Sequence, residues 1–156
     1  EMHSFYLRNM YRDNKLCRPN GITINETPID VRKIKVPSYF ISTKEDHIAP
    51  WASTYEGMHL LGGDKTFVLS ASGHVAGVVN PPAAQKYHYW VNPDTDDRQH
   101  AEDWLAQAKQ CDGSWWVHWA KWVEGTSGPK IPARKVGSGK LKTIEPAPGR
   151  YVKKKI

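Results

Sequence analysis

The sequence predicts an α/β fold in which two parallel strands lie side by side in one sheet. Three observations carry this. Residues 35–43 (KVPSYFIST) and 65–72 (KTFVLSAS) are short apolar and β-branched runs of strand length. Between them Trp51, Tyr55, Met58 and Leu61 recur at three- and four-residue spacing, the stripe of a helix that buries one face. Polar loops, 44–50 and 70–82, end the two runs, and in sheets of this kind the functional crevice lies beyond the carboxyl ends of the strands.

The remaining elements follow in chain order. SFYLRNMYRDN places Phe5, Tyr6, Met10 and Asn14 at helical spacing. With no cap or strand before it, this opening predicts that a further segment precedes Glu1. Pro19-Asn20-Gly21 makes a turn. GITINETPIDV alternates, with Ile22 and Ile24 facing one way and NETP closing a short hairpin onto Ile29 and Val31. Pro37 stands near the start of its strand, where a missing N–H is tolerated. Pro50 suits the first turn of the next helix, and Gly62-Gly63 ends it.

Further on, Asp96 or Asp97 can cap a helix running to about Gln110, with Trp104, Leu105 and Ala108 on its apolar face. A turn at Asp112-Gly113 leads to SWWVHWAKWVEG, where Trp115, Trp119 and Trp122 form a stripe. These two segments read as a helical hairpin closing one face of the sheet. From Thr126 the periodicity stops, and Gly, Pro, Lys and Ser describe an extended tail.

Composition bounds the function. A chain of 156 residues with 39% hydrophobic residues and seven tryptophans is expected to fold as one domain. The net charge of +6 is uneven: residues 126–156 hold nine of the 22 Lys/Arg and one of the 16 acids. The body is slightly acidic, so no nucleic-acid surface is implied for it. No apolar run approaches the roughly 20 residues of a membrane-spanning helix, and the polar first residues do not form a signal peptide. Two cysteines, Cys17 and Cys111, make no disulfide framework, which fits a reducing cytoplasm.

Asp46 and His74 are the strongest chemical pair. They stand 28 residues apart, each just past one of the two strands, so parallel neighbours would bring them to one edge. A carboxylate on one imidazole nitrogen fixes the tautomer and raises the basicity of the other. Glu45 and His47 flank Asp46, either as turn residues of which one caps the next helix or as groups that help position substrate. The nucleophile of a triad would need a tight Gly-flanked turn, and there is no G-x-S-x-G or G-x-C-x-G. Cys17 lies in KLCRPNG without an elbow. Cys111, in KQCDG after the expected helix, follows the acid and the histidine, whereas α/β hydrolases place the nucleophile first. The nucleophile is therefore expected before residue 1. Seven histidines without H-x-x-x-H or C-x-x-C spacing predict no metal site. The tryptophan stripe reads as core or as an apolar binding surface.

FYLRNMY, KVPSYFISTKEDHIAPW, FVLSASGHVAGVVNPP, GSWWVHWAKWV and IEPAPGRYVKKK, in this order, resemble the carboxyl-terminal part of class I polyhydroxyalkanoate synthases, the poly(3-hydroxybutyrate) polymerases. The resemblance implies the later part of an α/β-hydrolase core. Residues 1–30 would end a cap subdomain, 31–125 would belong to the core, and 126–156 would be a basic, irregular tail. It implies a Cys-His-Asp triad in which Asp46 and His74 match the family's aspartate and histidine, with the cysteine upstream and absent here. Ala49 departs from the valine often found in the family. The implied reaction joins 3-hydroxyacyl units from 3-hydroxyacyl-CoA into polyester with CoA release, without a cofactor, and His47 would touch substrate. Implied partners are the acyl-CoA, the growing chain, a second copy bound through the cap and the polyester granule surface, in the cytoplasm. The alternatives are an esterase or depolymerase, marked by a serine elbow upstream, and a non-catalytic polyester-binding module using the tail and the tryptophan stripe.

Overall fold

Helix α1 (Met2–Tyr6) runs into a π-helical segment, Leu7–Arg12, so the opening is helical as its spacing predicts. The computed structural model describes residues 1–94 and 99–155, and the chain divides into two units, Glu1–Gly125 and Thr126–Ile156. In the first unit, β1 (Ile22–Ile24) and β2 (Thr27–Ile29) pair antiparallel as the expected hairpin, but the turn is only Asn25-Glu26, with Thr27 and Pro28 already in the strand, and Val31 opens a 3-10 turn instead of continuing it. Ile22 is buried and Ile29 half-buried; Ile24 stays exposed, because a two-stranded ribbon has little to pack against at its tip.

The main sheet has the order β3 (Ser38–Thr43), β4 (Lys65–Ser70), β5 (His88–Val91), β6 (Lys109–Asp112). The first two strands are parallel, in register from Ser38 opposite Lys65 to Thr43 opposite Ser70. Helix α2 (Trp51–Met58) makes the crossover, with Pro50 as its N-cap, and the chain turns through Leu61 before β4. The α/β class therefore holds, but the sheet is mixed: β5 is antiparallel to both β4 and β6.

Two expectations fail on those last strands. The helix expected to reach Gln110 is α3 (Ala101–Gln107), and Lys109–Asp112 is the edge strand β6, which also places Cys111 in a strand. Backbone groups along the free edge of β5 offer Lys109–Asp112 ladder bonds that outweigh the local helix preference of Lys109 and Gln110. The proposed caps Asp96 and Asp97 lie outside the described residues. The second error is the helical hairpin. Strand β6 separates α3 from α4 (Trp116–Thr126), and the two helices cover opposite faces of the sheet.

Strand alternation decides which face each helix covers. Phe67 and Leu69 point to one side, where Tyr55 and Met58 of α2 and Trp104 of α3 close over them. Phe67 meets Trp104 and Tyr55 edge-on, with ring centroids 5.0 and 5.2 Å apart, a preferred aromatic arrangement. Val68 and Tyr89 point to the other side, against Trp115 and Trp116. The stripe on α4 is thus core only at its start: Trp115 is buried and Trp119 is exposed.

The second unit holds no strand among its described residues. Its regular structure is a single 3-10 turn, Tyr151–Lys153. Ile131, Val136, Leu141 and Ile144 are exposed along it. Across the described residues no helix is long and apolar enough to cross a membrane.

Candidate active site

The parallel register of β3 and β4 delivers Asp46 and His74 to the same edge. Thr43 and Ser70 are paired at the carboxyl ends, and the two loops leave side by side. Lys44 N donates to Ser70 O at 2.9 Å and Glu45 N to Ser72 O at 3.1 Å, so the loops stay laced together beyond the strands. Asp46 N then turns back onto Thr43 O at 3.2 Å.

The carboxylate of Asp46 is used on both oxygens. Oδ1 accepts the amides of Ile48 at 2.8 Å and Ala49 at 3.0 Å, and Oδ2 lies 2.8 Å from Nδ1 of His74. The amide of Ala49, then the bond to His74, holds the Asp46 carboxyl down at about 2. A charged carboxylate therefore faces Nδ1 at neutral pH and favours the tautomer that carries its proton there. Nε2 is left as the acceptor. The Asp46 side chain is 9% exposed and that of His74 52%, so the orienting group is covered while the imidazole faces outward.

The flanking residues do less. Glu45 and His47 are both exposed, and it is Asp46, not either neighbour, that takes the amides leading into α2. Among the described residues His47 has no hydrogen-bond partner. The structure does not join it to the Asp46–His74 pair. Cys17 and Cys111 are free thiols: Cys17 bonds back to Asn14 O, and Cys111 pairs with Tyr89 in the sheet, so neither stands with His74. No group of three His, Cys, Asp or Glu side chains among the described residues could hold a metal ion.

Several residues that sequence reasoning passed over hold the His74 loop in place. Ser70 Oγ donates to Gly77 O at 2.8 Å, and Gly77 N donates to Gly73 O at 3.0 Å. Trp115 Nε1 lies 3.2 Å from the carbonyl oxygens of both Gly77 and Val78, and Trp116 Nε1 donates to Val78 O at 2.9 Å. Asn80, buried, donates its amide to Lys86 O at 3.0 Å and steadies the exit from the loop. The local signal for this was the Trp-Trp dipeptide, which the helical periodicity absorbed into a core stripe. Beside the loop an apolar groove of about 320 Å³ is lined by Val78, Val79, Trp115, Trp116 and Trp119.

A second polar pair lies under α4. Tyr39 Oη and His118 Nδ1 are 2.9 Å apart. Burial pushes the Tyr39 hydroxyl up, and burial together with Lys121 pushes His118 down, so both are neutral at pH 7.

Comparison with known proteins gives the same family from several organisms, while no family model matches the chain. The poly(3-hydroxyalkanoate) polymerase subunit PhaC of Rhizobium meliloti (strain 1021) is 48% identical over 153 residues, which is 97% of this chain and 24% of that protein. The corresponding subunit of Cupriavidus necator is 43% identical over 154 residues, 98% of this chain and 26% of its own length. The poly(3-hydroxyalkanoate) polymerase of Methylorubrum extorquens is 44% identical over 153 residues and is covered to 25%. The chain is homologous to the poly(3-hydroxyalkanoate) polymerases along nearly its whole length, and it spans about a quarter of the length of these relatives.

Proposed function

We propose that this homologue of the poly(3-hydroxyalkanoate) polymerases supplies the histidine and aspartate of a Cys-His-Asp acyltransferase, the later part of an α/β-hydrolase core. The observation that carries the reading is the 2.8 Å bond between His74 Nδ1 and a covered, ionised Asp46 at the carboxyl ends of two parallel strands. That arrangement makes His74 Nε2 a general base. The nucleophile is a cysteine outside this chain.

The chemistry is acyl transfer from a 3-hydroxyacyl-CoA thioester. The cysteine thiol gives its proton to His74 Nε2, and the thiolate attacks the thioester carbonyl. The tetrahedral adduct collapses, the C–S bond to coenzyme A breaks, and the imidazolium returns its proton to the departing thiolate. The acyl group is now on the cysteine. The 3-hydroxyl of another unit then loses its proton to the freed base and attacks that acyl thioester; the C–S bond to the cysteine breaks, the imidazolium returns the proton to the cysteine sulfur, and the new ester bond lengthens the polyester. Asp46 stays charged throughout, orients the imidazole and stabilises its cationic form.

Three further parts of the reading rest on the family. Residues 1–30 belong to a cap through which two copies meet, the acyl-CoA and growing polyester are the ligands, and the enzyme works in the cytoplasm at the polyester granule. The test of the activity is His74→Ala in the full-length polypeptide, assayed by CoA release from 3-hydroxybutyryl-CoA. Release should fall by a factor on the order of a thousand or more, and near-normal turnover would sink the assignment. A serine in place of the elbow cysteine would instead direct the reading to ester hydrolysis.

A further inference from the structure

We propose that Trp115 and Trp116 are positioning residues for His74, their successive indole N–H groups clamping the turn that carries the histidine. This rests on the reading of His74 as the base.

Donors from two elements converge on two adjacent carbonyls. Ser70 Oγ, at the end of β4, and Trp115 Nε1 both reach Gly77 O, at 2.8 and 3.2 Å. Trp116 Nε1 reaches Val78 O at 2.9 Å, with Trp115 sharing that oxygen at 3.2 Å. The turn is also closed on itself. Gly77 N bonds Gly73 O at 3.0 Å, enclosing His74, and Val79 N bonds Val75 O at 2.8 Å in a second ring that overlaps the first from Val75 to Gly77. A shift of the Gly77–Val78 peptide therefore moves the histidine.

Packing explains Trp115, which is buried and stacks on Tyr39 with centroids 6.2 Å apart. It does not explain Trp116, which is only half-buried yet makes the shortest indole bond. Ser114 supports Trp116: its Oγ accepts Trp116 N at 3.1 Å, at the residue where α4 begins. His74 needs such support because half its side chain is exposed, and productive geometry tolerates only about 0.5 Å of drift.

The test uses the full-length polypeptide and two routes to the same carbonyls: Trp116→Phe, which keeps the ring and removes the donor, and Ser70→Ala, which acts from β4 should the first variant fold poorly. The Nδ1 proton resonance of His74, assigned by its loss in Asp46→Asn, is followed by NMR alongside CoA release. The clamp predicts faster solvent exchange of that proton and a kcat lowered about ten- to a hundredfold with KM kept. An unchanged resonance in both variants overturns it. So does a raised KM with kcat kept, which would make the groove a substrate surface instead. A weakened resonance with normal CoA release upholds the clamp and counts against the reading of His74 as the base.

Discussion

A Cβ placed on Gly77 would lie 2.5 Å from Cγ2 of Thr43, so the His74 loop rests directly on the end of β3 with no space between them. The same carbon would meet Ala71 O at 2.6 Å and Gly73 O at 3.0 Å, and backbone atoms cannot swing aside as a side chain can. Gly77→Ala is therefore expected to destabilise the fold by about 1–3 kcal/mol and to lift the turn that holds the base. Thermal unfolding and CoA release of the full-length variant check both, and a variant as stable and active as the parent would contradict the seating.

Asp46 links the site to pH with a definite sign. Its folded value of about 2 lies below the ordinary 3.8, so the folded state binds its proton less readily than the unfolded chain. The stability it contributes is complete above 3.8 and is lost as pH falls through about 2. The stability gap between the parent and Asp46→Asn should accordingly be constant at neutral pH and close in strong acid, as measured by denaturant titration. At neutral pH the same variant puts an amide before Nδ1 and reverses the tautomer, with an expected fall in kcat on the order of 10⁴.

His47 gives a sharper split. It is exposed beside Asp46 and has no hydrogen-bond partner among the described residues. If it touches substrate as the family resemblance implies, His47→Ala raises KM and leaves kcat unchanged. Steady-state kinetics with 3-hydroxybutyryl-CoA decide it, and an unaltered KM removes His47 from the site.

The pair under α4 predicts a second pH effect. His118 is pushed below its ordinary 6.5, so stability is complete above that value and declines as pH falls through the lower folded one. His118→Gln should flatten that decline. Tyr39→Phe, which leaves the 2.9 Å bond to His118 unmade, is expected to cost about 0.5–1.5 kcal/mol at neutral pH. Urea unfolding across the acid range measures both.

Trp104 tests the core. It is fully buried against Phe67 and Tyr55, so Trp104→Ala should cost about 3–5 kcal/mol. Its Nε1 has no hydrogen-bond partner among the described residues, so Trp104→Phe gives up packing but also sheds an unpaired donor. That variant should lose much less than the alanine, and equal losses in chemical denaturation would refute the argument.

The sequence by itself determined what local chemistry writes plainly. The runs before Asp46 and His74, the helix stripe at Trp51, Tyr55 and Met58, and the Pro and Gly that bound that helix were enough to predict two parallel strands with both residues past their ends. Period and punctuation depend on neighbours within a few residues, and there the reading holds, except that the helix stops at Met58 and the chain turns before it reaches Gly62-Gly63. Tertiary structure decided the rest. HYWV and KQCD carry no strand period strong enough to announce them, and they become β5 and β6 because the edge beside β4 must pair its backbone groups. That pairing placed β6 between α3 and α4 and sent the helices to opposite faces, undoing the expected hairpin. The 2.8 Å bond of His74 to Asp46 and the indole bonds to Gly77 and Val78 span 28, 37 and 38 residues. Local sequence can name candidates for such contacts, as it did for Asp46 and His74, but the bonds themselves exist only because the folded register brings those atoms within reach.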